Sequence, residues 1–485
     1  MIMIPVIAIY DIGKTNKKLI LYDSVYNIVW ETQTTLPEAE DDDGYPCEDL
    51  GQLTEWIMST WSEVTRLKEF RIDALHCTTY GASLVHLDRH GKPVTPLYSY
   101  FKPIPSEITD SFYNRYGGVL DFSVETASPA MGMLNSGLQL YWLKQIKPGL
   151  FSGIKTSLHL PHYCSYLFTG RTGSELTSIG CHTALWDFQK KRYHRWVYDE
   201  GIAPLLPPVT NEVKIGDIIR DDASIPAGIG LHDSSAALVP YLQTFRRPFM
   251  LISTGTWCIN LFPFATEPLT KHQLERDCLS YLTFRGEAVK ASRVFLGGEH
   301  DHQVKRLSEH FHCDIETYKT IRCDPVLIEK IVSQAERDNR LLKAAAMKGT
   351  GPFPDIEPGL WDISAFTSYE EAYHQLIVDL VCIVGFSLYL VNEGKYDMDI
   401  FVDGGFGKNE IFMTALVSLF PAANVRSSRI SQATSLGTAM MMHPYWEGEN
   451  LVSEDMFNLK TYSAIAADSM QVYYYRKYSQ NKKKS

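Results

Sequence analysis

No C-x-x-C pair occurs among the nine cysteines, which are scattered at positions 47, 77, 164, 181, 258, 278, 313, 323 and 382. An odd number without short spacings frames neither a disulfide scaffold nor a zinc site, and a reducing cytoplasm is the expected compartment. Positive charge is also short: 46 Lys and Arg against 57 Asp and Glu leave a net charge of -11. That balance opposes a broad polyanion-binding surface, so no nucleic-acid partner is expected, while a small phosphorylated ligand held by local backbone donors and a metal stays compatible with it. Long hydrophobic runs are missing as well. The longest, LIVDLVCIVGFSLYLV at 376–391, is short for a membrane span and carries Asp379, so it reads as a buried core helix and no membrane partner is expected. The opening MIMIPVIAIYD has no basic stretch ahead of its apolar residues and meets Asp11 after ten residues, so it is not read as a signal peptide. The basic tail NKKKS reads as a frayed, solvated end.

What is present is a chain of 485 residues with 45% apolar content, enough for two domains of about 200 to 250 residues each. Its first 35 residues alternate short β-rich runs, VIAIYDIG, KKLILYD and YNIVWETQT, a meander rather than a strand followed by a helix. Helical spacing follows at LTEWIMSTWSEVTRL (53–67) and LNSGLQLYWLKQI, with a strand-like DALHCTTYGASLVHLD between them, turning near Gly81. At 246–263 the opening pattern returns: RRPFMLISTGTWCINLF again sets an apolar strand, a small-residue turn and a second apolar strand. This recurrence predicts two related halves, 1–243 and 244–485, joined near TFRRP. The second half predicts helices around 295–310, 369–391 and 408–420, a strand at MDIFVDGG, and a closing helix after SQATSLG. Strands and helices mix throughout, so the expected class is α/β.

The stretch AIYDIGKTNKKLILYD (8–23) admits two readings. Ala8, Gly13, Lys14 and Thr15 satisfy a relaxed phosphate-loop pattern, which would make the protein a P-loop nucleotidase. That loop needs glycine-rich backbone and a following helix, whereas Ile9, Tyr10, Asp11 and Ile12 are strand residues and KLILYD continues as a strand. The hairpin reading accounts for the polar residues instead. A tight turn exposes consecutive backbone N–H groups as an anion-binding concavity, Thr15 and Asn16 add donors, and Asp11 at the strand end can hold a hydrated Mg²⁺. STGTW offers the same chemistry from Thr254, Gly255 and Thr256, and the two turns facing each other would grip a triphosphate. Asp233 falls where the strand GIGL ends and a helix, SSAALVPYL, begins, a place that would keep a carboxylate ionised and ready to accept a proton. Its bland alternative is an N-cap, and that of His232 a satisfied, partly buried histidine. The glycine pair of VDGGFGKN lets a nucleotide lie against backbone, or simply serves a turn needing positive φ. His300, His302, His310 and His312 in GGEHDHQVKRLSEHFHC lack any zinc-ligand spacing and read as solvated helix positions.

In the order DIGKTN (11–16), TTYGASLVHLD (78–88), GIGLHDSSAAL (228–238), STGTW (253–257), DGGFGKN (403–409) and ATSLGTAM (433–440), the sequence resembles the FGGY family of carbohydrate kinases, most of all its L-rhamnulokinase and L-fuculokinase branch. The resemblance spans most of the chain and implies two actin-like, ribonuclease H-like domains with a catalytic cleft between them, closing over ATP, Mg²⁺ and a ketose. It implies sugar binding and the base in residues 1–243, and ATP binding in 244–485. Carried over by residue, it makes Asp233 the catalytic base and Asp11 a metal and phosphate-positioning carboxylate. It puts Lys14, Thr15, Asn16, Lys17, Lys18 and Thr256 around the phosphates, Gly404 and Gly405 beside the adenosine, Gln303 at ATP, and Gly81 and His232 on the sugar. Phosphoryl transfer to an alcohol asks for that set: positioning, charge neutralisation and one carboxylate near the attacking oxygen.

Three stretches depart from the family pattern. LYSYFKPIPSE (97–107) lacks the Asp and Arg pair that contacts sugar in relatives, Phe406 stands where a third glycine is usual, and EPGLWDISAF (357–366) only echoes the signature before the long apolar helix. The expectation is therefore a cytoplasmic, ATP-dependent kinase of a small-molecule sugar, L-rhamnulose or L-fuculose, with xylulose or ribulose as alternatives and a homodimer as an open assembly. Its rivals are a non-catalytic, actin-like sensor of nucleotide and sugar, which would tolerate loss of Asp233, and a P-loop NTPase.

Overall fold

The structure is a computed structural model and describes residues 3–220, 223–333, 349–354, 361–430, 432–446 and 453–482. The EPGL of EPGLWDISAF and the end of the NKKKS tail lie outside them. The chain divides into two units: Met1–Thr244 with Ser280–Ala288 and Ser431–Ser453, and Phe245–Leu279 with Val289–Ile430 and Glu454–Ser485.

In the first unit the opening meander is three strands, β1 (Ile4–Ile12), β2 (Lys17–Tyr22) and β3 (Ile28–Thr34), paired antiparallel in sequence. The β1–β2 hairpin removes the phosphate-loop parse, because no helix follows Thr15. Beside β1 on its other edge runs β4 (Phe70–Thr79), parallel to it. The sheet is completed by β5 (Lys214–Arg220) and β6 (Ala223–Gly228), and its path runs β5-β6-β4-β1-β2-β3. β1 is buried on both faces from Val6 to Tyr10, which explains its unbroken apolar run. One face receives the helix Leu50–Val64, whose Leu50, Leu53, Ile57, Trp61 and Val64 recur at helical spacing; Asp49 caps its start by accepting from the Gln52 N–H. The buried Tyr10 hydroxyl donates to the Ile57 carbonyl at 2.8 Å, so the strand's one polar atom on that face is satisfied.

After β6 the chain kinks at Gly230, which has φ 91° and leaves only 2.3 Å between an added Cβ and the Pro161 carbonyl oxygen. It then re-enters the sheet as the short strand β7 (Leu231–His232), parallel to the last residues of β4. That kink carries Asp233 to the carboxyl edge of the sheet. The helix foreseen over SSAALVPYL is in fact two short pieces, Asp233–Ala236 and Val239–Thr244. The closing helix runs Ala433–Met441, so it begins inside the ATSLG motif rather than after it.

The second unit repeats the arrangement. β8 (Phe249–Thr254) and β9 (Cys258–Phe262) form its opening hairpin, β9 pairs antiparallel with β10 (Ala288–Val294), and β8 pairs parallel with β11 (Asp399–Gly404). β12 (Asn424–Ser427) and β13 (Lys460–Thr461) follow, giving β10-β9-β8-β11-β12-β13. The stretch β10-β9-β8-β11 has the same pairing senses as β3-β2-β1-β4. The recurrence seen in the sequence is therefore a recurrence of topology, and each unit is mixed α/β. The helix Tyr369–Val391 is long and apolar enough to cross a membrane, but 89% of its most apolar window is buried inside the protein. Its Asp379 is fully buried between Lys477, at 2.7 Å, and the Tyr473 hydroxyl, at 2.5 Å.

Candidate active site

The first unit gathers five of the expected residues. Asp11 on β1 and Leu231 on β7 both register with Thr78 of β4, and Ile12 and His232 both register with Thr79. Three parallel strands thus end together and present Asp11 and Asp233 at one edge, the place where open α/β sheets collect ligands. The two carboxylates act on each other: burial first, then the charge of Asp233, push the Asp11 carboxyl from its ordinary 3.8 up to about 7, with Lys18 opposing. Asp233 is the first residue of its short helix and is not a cap; its Oδ1 accepts from the Ser234 N–H at 2.6 Å and lies 3.2 Å from the Ser234 hydroxyl. This direct donor, rather than the dipole of a four-residue helix, fixes the carboxylate's orientation. About a third of the side chain (32%) is open to solvent, so it can meet a ligand.

His232 is almost wholly buried and positions Asp233 from behind. Its Nε2 lies 3.2 Å from Asp233 Oδ1 and 3.1 Å from Cys181 Sγ, and its backbone N–H donates to Thr177 Oγ1 at 3.0 Å. Burial holds the imidazole below its ordinary value, against the pull of Asp233 and Glu175. Its Nδ1 is buried without a hydrogen-bond partner. Gly81 packs on this ring: a Cβ there would stand 3.0 Å from Cys181 Sγ and from His232 Cδ2. Behind Thr177 sits Glu175, buried and ionised, which accepts from Thr177 Oγ1 at 2.8 Å and from the backbone of Thr177 and Ser178.

The hairpin at 13–16 separates residues that the sequence reading grouped together. The Gly13 N–H donates to the Asn16 carbonyl at 2.9 Å, closing the turn, and Thr15 and Asn16 are exposed. Strand alternation then sends Lys17 and Lys18 to opposite faces. Lys17 is 2% exposed, 2.8 Å from Glu48, and donates to the Lys14 carbonyl; the Glu48 carboxylate also accepts from the Tyr80 hydroxyl. Its ammonium is thus spent on an internal ion pair, a correction to the reading of five consecutive phosphate ligands. Lys14 lies over the rings of Tyr80 and Tyr100, about 6 Å from each centroid, with Glu38 at 3.8 Å. Lys18 donates to Gln432 Oε1 at 3.2 Å.

In the second unit the register pairs Thr254 with Gly404 across β8 and β11. Thr254 Oγ1 donates to the Asp403 carbonyl at 2.5 Å and accepts from the Phe406 N–H at 3.1 Å, which pins the glycine turn. Gly404 has φ 89°, and an added Cβ would come within 1.9 Å of the Thr254 carbonyl oxygen, so only glycine fits. Gly255, Thr256, Gly404 and Gly405 are exposed. The helix Leu296–Phe311 starts against the hairpin tip, where the N–H groups of Gly297 and Gly298 donate to the Thr256 carbonyl at 3.0 and 3.3 Å. Gln303 departs from the sequence reading. It is fully buried, its amide donates to Glu299 at 2.6 Å and its carbonyl accepts from Arg306 at 2.7 Å, so the side chain is consumed within its own helix.

Sequence reasoning missed Tyr100, Glu175, Thr177 and Gln432. Tyr100 is set near Asp233, since burial and then the Asp233 charge raise its phenol. The one signal for it was the departure of LYSYF from the family pattern. Thr177 and Gln432 carried none, because each acts through a partner far away in the chain.

Residues 6–239 match the N-terminal domain of the FGGY family of carbohydrate kinases, and residues 246–450 match a C-terminal domain of carbohydrate kinase FGGY. A rhamnulokinase of Halalkalibacterium halodurans is 25% identical over 286 residues; the match covers 52% of this chain and 56% of that relative. In structure the chain is similar to a carbohydrate kinase from Novosphingobium aromaticivorans, with a TM-score of 0.83 at 23% identity over 99% of both chains. It is also similar to a ligand-bound xylulose kinase from Lactobacillus acidophilus, with a TM-score of 0.77 at 15% identity over 99% of this chain and 98% of that one. A glycerol kinase from Plasmodium falciparum, solved with ADP, gives 0.75 at 15% over 99% and 98%. At these identities the structural likeness speaks for the fold.

Proposed function

The chain belongs to the FGGY family of carbohydrate kinases, phosphotransferases with an alcohol group as acceptor, and from that premise we propose that it moves the γ-phosphoryl group of Mg-ATP to a hydroxyl of a ketose, L-rhamnulose or L-fuculose. Residues 1–243 bind the sugar and supply the base, and residues 244–485 bind ATP. Asp233 takes the proton from the attacking hydroxyl, held in place by the Ser234 N–H and by His232 Nε2. His232 and Gly81 border the sugar, Lys14, Lys18, Thr15 and Asn16 meet the phosphates, and Thr254, Gly255, Thr256, Gly404 and Gly405 cradle the nucleotide against exposed backbone.

The observation that carries this reading is the approach of Asp11 to Asp233 at the ends of β1 and β7, the two parallel strands that flank β4. Asp11 fits a divalent cation, because a largely buried carboxyl beside a second carboxylate, its value pushed up to about 7, gains most from positive charge. Asp11 would hold Mg²⁺, which when bound supplies positive charge to the phosphate oxygens. For the sugar, support comes from the rhamnulokinase match and from Tyr100 near Asp233, with the ring of Phe101, 67% exposed, at 4.4 Å from it. An aromatic surface where relatives carry an Asp and Arg pair suits the methyl group of a 6-deoxyketose. We read the protein as cytoplasmic, with sugar and ATP as its partners and neither nucleic acid nor membrane, in keeping with the charge of -11.

A coupled assay of ADP release over ketoses, aldoses and polyols tests the proposal. L-Rhamnulose or L-fuculose should give the highest kcat/KM, and Asp233→Asn should cost about 10² to 10⁴ in kcat while nucleotide binding persists. A preference for xylulose or ribulose moves the substrate to the alternative. Sugar-dependent turnover of Asp233→Asn near the wild-type rate removes the base and favours the sensor.

A further inference from the structure

Gln432 breaks two local rules at once. Its backbone is left-handed at φ 51° and ψ 52°, a conformation that costs a non-glycine residue, and it occupies the N-cap of the helix Ala433–Met441 without giving that helix a side-chain cap. Its side chain is turned to two charged groups of the first sheet. Oε1 accepts from Lys18 Nζ at 3.2 Å and Nε2 donates to Glu31 Oε2 at 3.0 Å. The amide orientation is forced, since an ammonium only donates and a carboxylate only accepts.

Lys18 and Glu31 lie on one face of the β2–β3 pair. Lys18 is opposite Gln33 and Ile20 is opposite Glu31, so the two charges are diagonal neighbours, within reach of each other for side chains of this length. Nothing in the strand geometry keeps the ammonium from folding onto the Glu31 carboxylate. Lys18 is also the cross-strand partner of Asp11, whose charge it favours.

We infer that Gln432 is a positioning residue that separates Lys18 from Glu31, holding the ammonium beside Asp11 and free for the phosphates of ATP. The neutral amide satisfies both ions without cancelling the lysine charge, whereas direct contact with Glu31 would offset it. This rests on the proposed place of Lys18 at the phosphates. It also gives the strained backbone a reason, because a bridging residue that starts a helix from αL pays locally for a contact made elsewhere.

The test is a suppression experiment on KM for ATP at saturating sugar. Gln432→Gly suits the left-handed backbone and keeps the fold while removing the bridge. It should raise KM for ATP about tenfold with little change in kcat, as loss of a hydrogen bond to a charged group implies. Adding Glu31→Gln should then return KM to near wild type, since no carboxylate is left to capture the lysine. A thermal melt of each variant confirms folding. If Gln432→Gly leaves KM unchanged, or if Glu31→Gln does not relieve it, the inference is overturned, the second result meaning that Gln432 is merely structural. Lys18→Met separates the underlying reading: should KM for ATP stay unchanged in that variant, Lys18 does not serve the phosphates and the inference falls with it.

Discussion

Asp11 and Asp233 act on each other from the ends of β1 and β7, two strands that flank the same residue, Thr78. Their repulsion has a consequence for the ligand-free protein. Because the folded Asp11 carboxyl sits at about 7 instead of 3.8, the folded chain holds that proton more tightly than the unfolded one. The contribution to stability is fully present below the unfolded value and is lost as pH rises through the folded value. Asp11→Asn should therefore raise the thermal midpoint of the ligand-free protein at about pH 8 and leave it nearly unchanged below about pH 4. Asp233→Asn should move the Asp11 titration downward, readable from its side-chain carboxyl signal by NMR. An Asp11 that titrates near the ordinary carboxylate value in the wild type would contradict both.

Lys17 and Glu48 make a second, opposite forecast. Both side chains are buried, 2% and 5% exposed, and 2.8 Å apart. Removing one partner of such a pair costs about 3 to 5 kcal/mol, because it leaves a buried charge unpaired. Lys17→Met should lower stability by about that amount in urea unfolding, and the protein that stays folded should keep its KM for ATP. A selective rise in that KM with unchanged stability would return Lys17 to the phosphates.

The contrast between Lys17 and Lys18 marks how far the sequence could be read. Apolar periodicity gave away β1, β2, β8, β9 and the helix Tyr369–Val391, since burial on both faces leaves a continuous hydrophobic run. The same alternation implied that adjacent lysines point to opposite faces, but which face was interior depended on Glu48 and Tyr80, residues brought there by the fold. Gln303 misled for a related reason. A glutamine four residues after Glu299 and three before Arg306 can meet both within one helix, and burial makes it do so. Asp233 stood out through its motif, whereas the kink at Gly230 that delivers it to the sheet edge had no local signal beyond one glycine. Tyr100 and Gln432 are set by contacts across the fold, which a single sequence does not display.

Gly81 is the tightest of the candidate sugar positions. Its missing Cβ leaves the His232 ring in place, with Cys181 Sγ and His232 Cδ2 both 3.0 Å from where that atom would be. Gly81→Ala should push the imidazole and raise KM for the sugar about tenfold, the cost of about 1.4 kcal/mol of misplaced contact, while KM for ATP holds. Steady-state kinetics with each substrate varied in turn distinguishes this from a general loss of fold, in which both constants or the active fraction would change.

Thr177 links the buried Glu175 carboxylate to the backbone of His232, next to Asp233, the proposed base. Its hydroxyl donates to Glu175 Oε1 at 2.8 Å, so it must receive the His232 N–H, at 3.0 Å, on its remaining lone pairs. Glu175 is itself fixed by the N–H groups of Thr177 and Ser178. The relay therefore sets the backbone at His232, one residue before Asp233. Thr177→Val keeps the volume but strands the His232 N–H, a defect worth about 1 to 3 kcal/mol. Part of that should appear as stability and part as a lower kcat, with KM for ATP unaffected. Thr177→Ser retains the hydroxyl and should recover kcat to within about twofold, since only a methyl group, about 0.8 kcal/mol of burial, is lost. If the serine variant is as slow as the valine variant, the methyl rather than the hydroxyl matters and the relay has no part in holding Asp233. If both match the wild type in kcat, the His232 backbone is held by the strand β7 pairing alone.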